Sequence, residues 1–333
     1  MSETFEAYLL RAGADGTVTG AFEAVPVADL PDGDVTVRVA YSTVNYKDGM
    51  VMNGIGRLVR NYPHVPGVDF SGTVETSSDP ALAPGDPVVL TGWRVGEVRW
   101  GGYGALARVQ GEWLVKLPDG ITLARAMALG TAGFTAGLAV DTLEAAGMRP
   151  ERGEVLVTGA SGGVGSVAVA LLAAKGYKVA AATGRAEGHG YLSGLGATTI
   201  LDRAELAEQP KRPLAPERFQ AAIDNVGGAT LANLLTQIAY GGSVAAVGLT
   251  GGNEVTTTVL PFLLRGVGLL GVDSVMCPAP RRERVWQAIA ETLPMEKLDA
   301  IAHLHRFHEL PELGRAILRG EVRGRAVVTV EGG

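Results

Sequence analysis

The stretch Glu154-Val155-Leu156-Val157-Thr158-Gly159-Ala160-Ser161-Gly162-Gly163-Val164-Gly165 passes from a β-branched run into a glycine-rich turn. An apolar helical segment follows at once, Val167-Ala168-Val169-Ala170-Leu171-Leu172, and a second apolar run, Tyr177 to Ala182, comes after it. Strand, tight turn, helix and strand make a βαβ unit. Glycines in such a turn let the backbone approach a pyrophosphate, and the helix N-terminus offers unpaired N–H donors with a partial positive charge. The spacing is Gly159-x-x-Gly162-x-x-Gly165 rather than G-x-G-x-x-G, so the pattern takes its meaning from the strand before it and the helix after it.

Outward from this turn, apolar strands alternate with helices at 154–158, 178–182, 198–201, 220–224, 243–247 and 267–272. Six strands in that rhythm predict an α/β fold with a doubly wound parallel sheet of Rossmann type. Residues 1–123 read instead as β-rich. Thr36 to Ser42, Phe70 to Thr76, Pro87 to Gly92 and Ala105 to Val109 look like strands, separated by turn signals such as Pro84-Gly85-Asp86. Helical spacing begins after Thr122, over 124–129 and 135–146, and Gly147 stops it. Past the sixth strand come a helix at 281–293, a strand near 301–307, a helix at 310–319 and a strand from Ala326 to Val330. The expected domains are therefore 1–123, a nucleotide-binding part 124–273, and a return to the first domain over 274–333.

A chain of 333 residues exceeds the roughly 250–300 at which single cores stop growing. It is 47% hydrophobic and 19% charged, and no uninterrupted apolar run reaches the roughly 20 residues of a membrane helix. Met1-Ser2-Glu3-Thr4-Phe5-Glu6 carries neither a basic start nor an apolar signal core, so a cytoplasmic location is expected. A net charge of −6 gives no support for nucleic acid or an anionic membrane as partner. One cysteine, Cys277, excludes an internal disulfide and a Cys-rich zinc site; it reads as an inert, buried or half-buried thiol.

Several segments carry a more specific likeness: Asn45-Tyr46-Lys47-Asp48, Pro66-Gly67-Val68-Asp69-Phe70-Ser71-Gly72, Leu90-Thr91-Gly92-Trp93, Gly130-Thr131-Ala132-Gly133-Phe134-Thr135-Ala136 and Gly271-Val272-Asp273-Ser274-Val275-Met276. With the glycine turn and the domain order, they make the whole chain resemble the medium-chain dehydrogenase/reductase superfamily. Within it the likeness is to the zinc-independent acrylyl-CoA reductases of the quinone-oxidoreductase-like branch. The resemblance implies a GroES-like catalytic domain carrying an inserted Rossmann domain, NADPH as cofactor, and an acyl-CoA substrate. It also implies a homodimer, paired through the apolar sixth strand.

Cofactor choice is read at the end of the second strand, Ala181-Ala182-Thr183-Gly184-Arg185, where no acid occurs before Glu187. An acid there would accept hydrogen bonds from a free ribose 2′-hydroxyl, whereas a hydroxyl and a guanidinium suit a 2′-phosphate. Arg203, after the third strand, offers a second positive contact, and the resemblance assigns Arg185 and Arg203 to the 2′-phosphate of NADPH. Ser161, Gly162, Gly163, Val164 and Gly165 are expected at the pyrophosphate. Leu249 and Ser274, after the fifth and sixth strands, are expected to border the nicotinamide. Leu263 fits either that place or the core.

In zinc alcohol dehydrogenases of the superfamily, Gly-His-Glu stands where this chain has Gly67-Val68-Asp69, and the ligating cysteines are missing here; no metal is expected. His303, His305 and His308 read as surface or interface residues. A metal-free site that reduces an activated C=C bond delivers hydride to the β-carbon, leaving an enolate whose α-carbon takes a proton. Tyr46 is the candidate donor and a cofactor contact, read as closing a strand, with Asn45 orienting it and Asp48 capping the helix after it. Solvent is the alternative proton source. Arg57, Arg60 and His64, or Arg94 and Arg99 beside Trp93 and Trp100, are candidates for the CoA phosphates and adenine. Two other functions fit the same residues: an NADPH quinone or enone oxidoreductase, and a non-catalytic NADPH-binding regulatory protein.

Overall fold

The computed structural model describes residues 3–184, 188–210 and 212–330. In chain order, strands β1 (Thr4–Ala12), β2 (Val18–Pro26) and β3 (Val35–Val44) precede helix α1 (Tyr46–Met52). Strands β4 (Asp69–Ser77), β5 (Pro87–Thr91), β6 (Leu106–Val109) and β7 (Leu114–Lys116) lead to helix α2 (Leu123–Ala145). Strand then alternates with helix: β8 (Glu154–Val157), α3 (Gly163–Ala174), β9 (Lys178–Thr183), α4 (His189–Leu195), β10 (Thr199–Asp202), α5 (Ala204–Ala207), β11 (Phe219–Asp224), α6 (Gly228–Leu235), β12 (Ile238–Ala246), α7 (Leu260–Arg265) and β13 (Gly268–Gly271). Helices α8 (Ala279–Thr292) and α9 (Met295–Ile301), strand β14 (Ala302–Arg306), helix α10 (Leu310–Leu318) and strand β15 (Arg325–Thr329) follow. These elements form two compact units: residues 1–134 with 274–290 and 298–333, and residues 135–273 with 291–297.

The second unit holds the parallel sheet, ordered β10-β9-β8-β11-β12-β13. Strand order reverses between β8 and β11, the switch point at whose carboxyl edge ligands bind in such folds. Val155, Leu156, Val157, Val179, Ala180, Ala181 and Ile223 are all buried, so consecutive residues on both faces meet core. Strands covered on both sides need apolar residues at every position, which is why they read as unbroken runs. β12 begins at Ile238, five residues before the expected start at 243. Gly241 adopts φ +67°, and the pairing of β11 slips between Phe219 and Ala221, so the strand continues through a distortion that the sequence presents as a turn.

In the first unit a seven-stranded sheet runs β14-β15-β3-β4-β5-β7, with β6 also pairing β3. Only the β14–β15 pair is parallel. Its core is built on Val35, Val37, Val39, Phe70, Val88, Leu90, Tyr103 and Val328. The β1–β2 hairpin lies outside the strands expected from the sequence. Its turn is closed by Gly13 N–H donating to Thr17 O at 2.8 Å and Thr17 N–H donating to Asp15 Oδ1 at 3.0 Å, with Gly16 at φ +82°. α2 is long and apolar enough to cross a membrane by length and composition, but 78% of that window is buried in the fold. Gly130 (φ 51°, ψ −155°) breaks it into the two helical runs expected on either side.

Candidate functional site

In the parallel-sheet unit, the glycine turn leaves β8 beside the end of β11. Thr158 is buried; its hydroxyl donates to Asp224 Oδ1 at 2.6 Å and accepts from Asn225 N–H at 3.0 Å, while Asn225 Nδ2 donates to Thr158 O at 2.8 Å. Asp224 also accepts from Gly227 N–H at 2.7 Å, and burial raises its carboxyl pKa above the ordinary value. This pair, which the sequence reading missed, ties the turn to the loop after β11. Gly159 takes φ +57°, open to glycine at little cost. Gly162 is the N-cap of α3 and no side chain caps the helix, so its first N–H groups are left for a ligand.

Two glycines of this turn differ in surroundings. A Cβ at Gly165 would run into backbone: Gly159 O, Ala160 Cα at 2.6 Å and Ala160 C at 2.9 Å. At Gly162 a Cβ would meet, among the described residues, only Gly159 O, at 3.3 Å. The turn is therefore open at Gly162 and closed at Gly165.

Thr183 closes β9 and is buried, with its Oγ1 3.3 Å from Ser161 Oγ. Arg203 donates its backbone N–H to Thr183 O at 3.0 Å, and its side chain lies over Gly184, where an added Cβ would meet Cδ at 2.6 Å. Ser161, Thr183, Gly184 and Arg203 are thus brought together. Arg185 and Glu187 lie outside the described residues. Leu249, after β12, is 66% exposed and Leu263, on α7, is 72% exposed. Leu263 is therefore not a core residue.

In the β-rich unit, β3 ends at Val44 and Asn45 caps α1, which begins at Tyr46. Tyr46 therefore opens a helix rather than closing a strand. Asp48 is the third helical residue, not a cap before the helix. Its Oδ2 accepts from Asn45 N–H at 2.8 Å, completing a reciprocal capping box, and its Oδ1 accepts from Val68 N–H at 2.9 Å. Helix geometry won here because Asn45 is itself a strong cap. Tyr46 is 53% exposed, and its hydroxyl makes no hydrogen bond among the described residues.

Beneath Asn45 lies a buried polar cluster. Asp69 Oδ1 accepts from Thr43 Oγ1 at 2.5 Å, and its Oδ2 accepts from Thr131 N–H at 2.7 Å and Asn45 Nδ2 at 3.1 Å. Arg325 Nη1 donates to Asn45 Oδ1 at 2.9 Å. Tyr103 donates its hydroxyl to Thr43 O at 2.8 Å. Burial, followed by the neighbouring Asp69 charge, pushes the Asp48 carboxyl up to about 7, and burial lowers the Arg325 guanidinium. Lys47 pairs at 2.9 Å with Glu97, itself largely buried.

Ser274 belongs to the same unit, where its carbonyl accepts from Arg282 Nη2 at 3.1 Å. Arg282, fully buried and missed from the sequence, also donates to Val275 O, Cys277 O and both oxygens of Thr91. Its guanidinium sits 5.2 Å from the Trp93 ring and 4.7 Å from that of Phe134. It holds three of the quoted segments as one piece. Cys277 is buried.

Among the candidates for CoA phosphates, Arg57, Arg60 and Arg94 are exposed. Arg99 donates to Trp93 O at 2.8 Å and stacks on Trp113. His64 is only 2% exposed; it exchanges backbone hydrogen bonds with Leu10, and burial lowers its imidazole pKa. It is a core residue, not a phosphate ligand. His305 pairs with Glu309 at 3.0 Å, and His308 stacks on Phe22 at 4.3 Å.

Residues 31–119 match the alcohol dehydrogenase GroES-like domain, and residues 163–291 match the zinc-binding dehydrogenase family. The chain is 58% identical over 315 residues to the acrylyl-CoA reductase AcuI of Ruegeria pomeroyi, covering 95% of this chain and 96% of that one. The yhdH oxidoreductase of Salmonella enterica in complex with NADP superposes with a TM-score of 0.95 at 49% identity, covering 98% and 100% of the two chains. The Bacillus subtilis protein yhfP, named a putative quinone oxidoreductase and solved with NAD bound, gives a TM-score of 0.95 at 45% identity over 98% and 100%. By near full-length identity and by fold, the chain belongs to the acrylyl-CoA reductase family, NADPH oxidoreductases of the medium-chain dehydrogenase/reductase superfamily.

Proposed function

We propose that this protein reduces acrylyl-CoA to propanoyl-CoA with NADPH. Its 58% identity over nearly the whole length to an acrylyl-CoA reductase carries the reading. The residues fit the cofactor: an uncapped α3 with an open face at Gly162 for the pyrophosphate, and a corner of Ser161, Thr183, Gly184 and Arg203 for a 2′-phosphate. Arg185, next in sequence after Gly184, is the second cation of this reading. In this reading Gly163, Val164 and Gly165 complete the pyrophosphate turn. Leu249 and Leu263 offer apolar surface to the nicotinamide, and Ser274 and Tyr46 are further cofactor contacts. When bound, NADPH supplies the hydride that reaches the β-carbon of the substrate.

Tyr46 then acts on the substrate. Its hydroxyl, without a hydrogen-bond partner among the described residues, donates to the thioester oxygen as negative charge gathers there, and it either passes a proton on to the α-carbon or anchors while solvent does so. Residues 124–273 serve as the NADPH-binding part, and 1–123 with 274–333 as the catalytic part. The reaction needs no zinc: Val68 replaces a ligating histidine and Cys277 is the single cysteine. β13 is the edge strand of its sheet and Leu269 on it is exposed, so a second copy pairing there gives a homodimer. The cytoplasm is its place of action.

The test is NADPH oxidation with acrylyl-CoA against a quinone, with the product identified by mass. Turnover of acrylyl-CoA to propanoyl-CoA supports the reading. The second reading, a quinone or enone oxidoreductase, is favoured by the likeness to the Bacillus subtilis protein and predicts that the quinone is preferred. A regulatory NADPH binder would turn over neither.

A further inference from the structure

We infer that Arg325 is a positioning residue for the reaction: it fixes the side-chain amide of Asn45 and, through it, the first residue of α1, Tyr46. The inference rests on the role of Tyr46 given above. Two buried carboxylates, Asp48 and Asp69, lie in the cluster with Arg325, yet the guanidinium does not grip either. Its closest approach to Asp69 is 3.9 Å, too long for the two-pronged hydrogen bonding an Arg–carboxylate pair adopts. Its short contacts go instead to neutral acceptors: Asn45 Oδ1 at 2.9 Å, Thr43 Oγ1 at 3.1 Å and Ala128 O at 3.2 Å. A guanidinium used only to balance charge would not be aimed this way.

Asn45 is where the contacts converge. Its Nδ2 lies 3.0 Å from Thr43 Oγ1, 3.1 Å from Asp48 Oδ2 and 3.1 Å from Asp69 Oδ2, so one end of the amide faces acceptors alone. Arg325, a donor with no acceptor capacity, fixes the other end as oxygen. The amide can neither rotate nor flip without losing bonds at both ends. On the far side α1 is gripped at Gly49, where an added Cβ would meet Gly314 O at 2.8 Å and Ile317 Cγ2 at 2.8 Å on α10. Tyr46 sits between these two grips. Because its hydroxyl has no partner among the described residues, the backbone at Asn45 sets where it points. Positioning errors of about 1 Å at a reacting group cost on the order of a hundredfold in rate.

The test is a double-mutant cycle of Arg325→Lys with Tyr46→Phe, with kcat read on acrylyl-CoA or on the quinone if that is the acceptor used. Lys keeps the charge but cannot reach three acceptors with one ammonium group. Arg325→Lys should lower kcat about tenfold or more, change NADPH affinity less than about twofold, and speed hydrogen exchange in residues 46–52. In the Tyr46→Phe background it should lower kcat less than about twofold. Asn45→Ser, which keeps a helix cap but cuts the link to Arg325, should behave as Arg325→Lys does and replaces it if that variant does not fold. A silent Tyr46→Phe overturns the role of Tyr46 and this inference with it. A damaging Tyr46→Phe with a silent Arg325→Lys, or with equal losses in both backgrounds, overturns this inference alone.

Discussion

Alanine at Gly162 and at Gly165 should separate cofactor binding from folding within one turn. At Gly165 the added Cβ would stand 2.6 Å from Ala160 Cα and 2.9 Å from Ala160 C, against ordinary contact beyond about 3.4 Å. All its neighbours are backbone, so the turn or α3 must move by the better part of an ångström. Overpacking of that kind costs roughly 1–3 kcal/mol, or about 2–10 °C in melting temperature for a unit of this size. At Gly162 the one neighbour among the described residues, Gly159 O at 3.3 Å, needs a shift of only a few tenths of an ångström, and φ there is −82°, which alanine accepts. Gly162→Ala should therefore melt within about 2 °C of the parent. If the space over Gly162 belongs to the pyrophosphate, its NADPH affinity should still fall at least about tenfold, near 1.4 kcal/mol. Melting followed by fluorescence and NADPH titration on both variants decide the matter. A Gly162→Ala protein that binds NADPH as tightly as the parent, or a Gly165→Ala protein with unchanged melting, would refute the reasoning.

Arg185→Ala should weaken NADPH by roughly 1.5–3 kcal/mol while leaving NADH nearly unchanged, as expected for one charge-assisted phosphate contact; equal losses in parallel titrations would remove Arg185 from the phosphate. Exhaustive chelation should leave activity intact, and activity lost to the chelator and restored by zinc would redirect attention to His303, His305 and His308. The Asp48 carboxyl is raised from its ordinary 3.8 to about 7 in the folded chain. Its contribution to stability is therefore complete below pH 3.8 and is lost as pH rises through 7. Asp48→Asn should flatten the fall in urea midpoint between pH 4 and 8; an unchanged slope in the variant would show that another group sets it.

The parallel sheet was legible because each buried strand needs an apolar residue at every position, a signal that survives in a single sequence. The meeting of Ser161, Thr183 and Arg203 was legible too, since Thr183 closes β9 and Arg203 follows β10, strand ends that the alternation locates. The β1–β2 hairpin escaped because β2 is mostly exposed and carries no clean alternation; Asp15-Gly16 was the turn signal that could have found it. Arg282 and Arg325 were invisible for a different reason. Each sits in an arginine-rich segment that reads as surface, and their partners lie up to 191 and 282 residues away in the chain. Charge buried by long-range contacts leaves no local period. The extent of α1 was misread because Asn45 and Asp48 both suit a cap, and only the geometry shows that they form one reciprocal pair.

β15 joins the flank of β3, pairing Ala326 with Val44 and Thr329 with Tyr41. A ribosome makes β3 almost 300 residues before it makes β15. Through that interval the nascent β-rich unit has an unpaired strand edge, and Asp48 and Asp69 have no guanidinium beside them. The parallel-sheet residues, contiguous over 135–273, can meanwhile collect their own partners. The unit that opens the chain is thus the one that finishes last, and an unfinished chain lacks the guanidinium that holds Thr43 and Asn45 beside the acids. A chain stalled after 273 exposes that edge to other chains, a ready route to strand-to-strand aggregation.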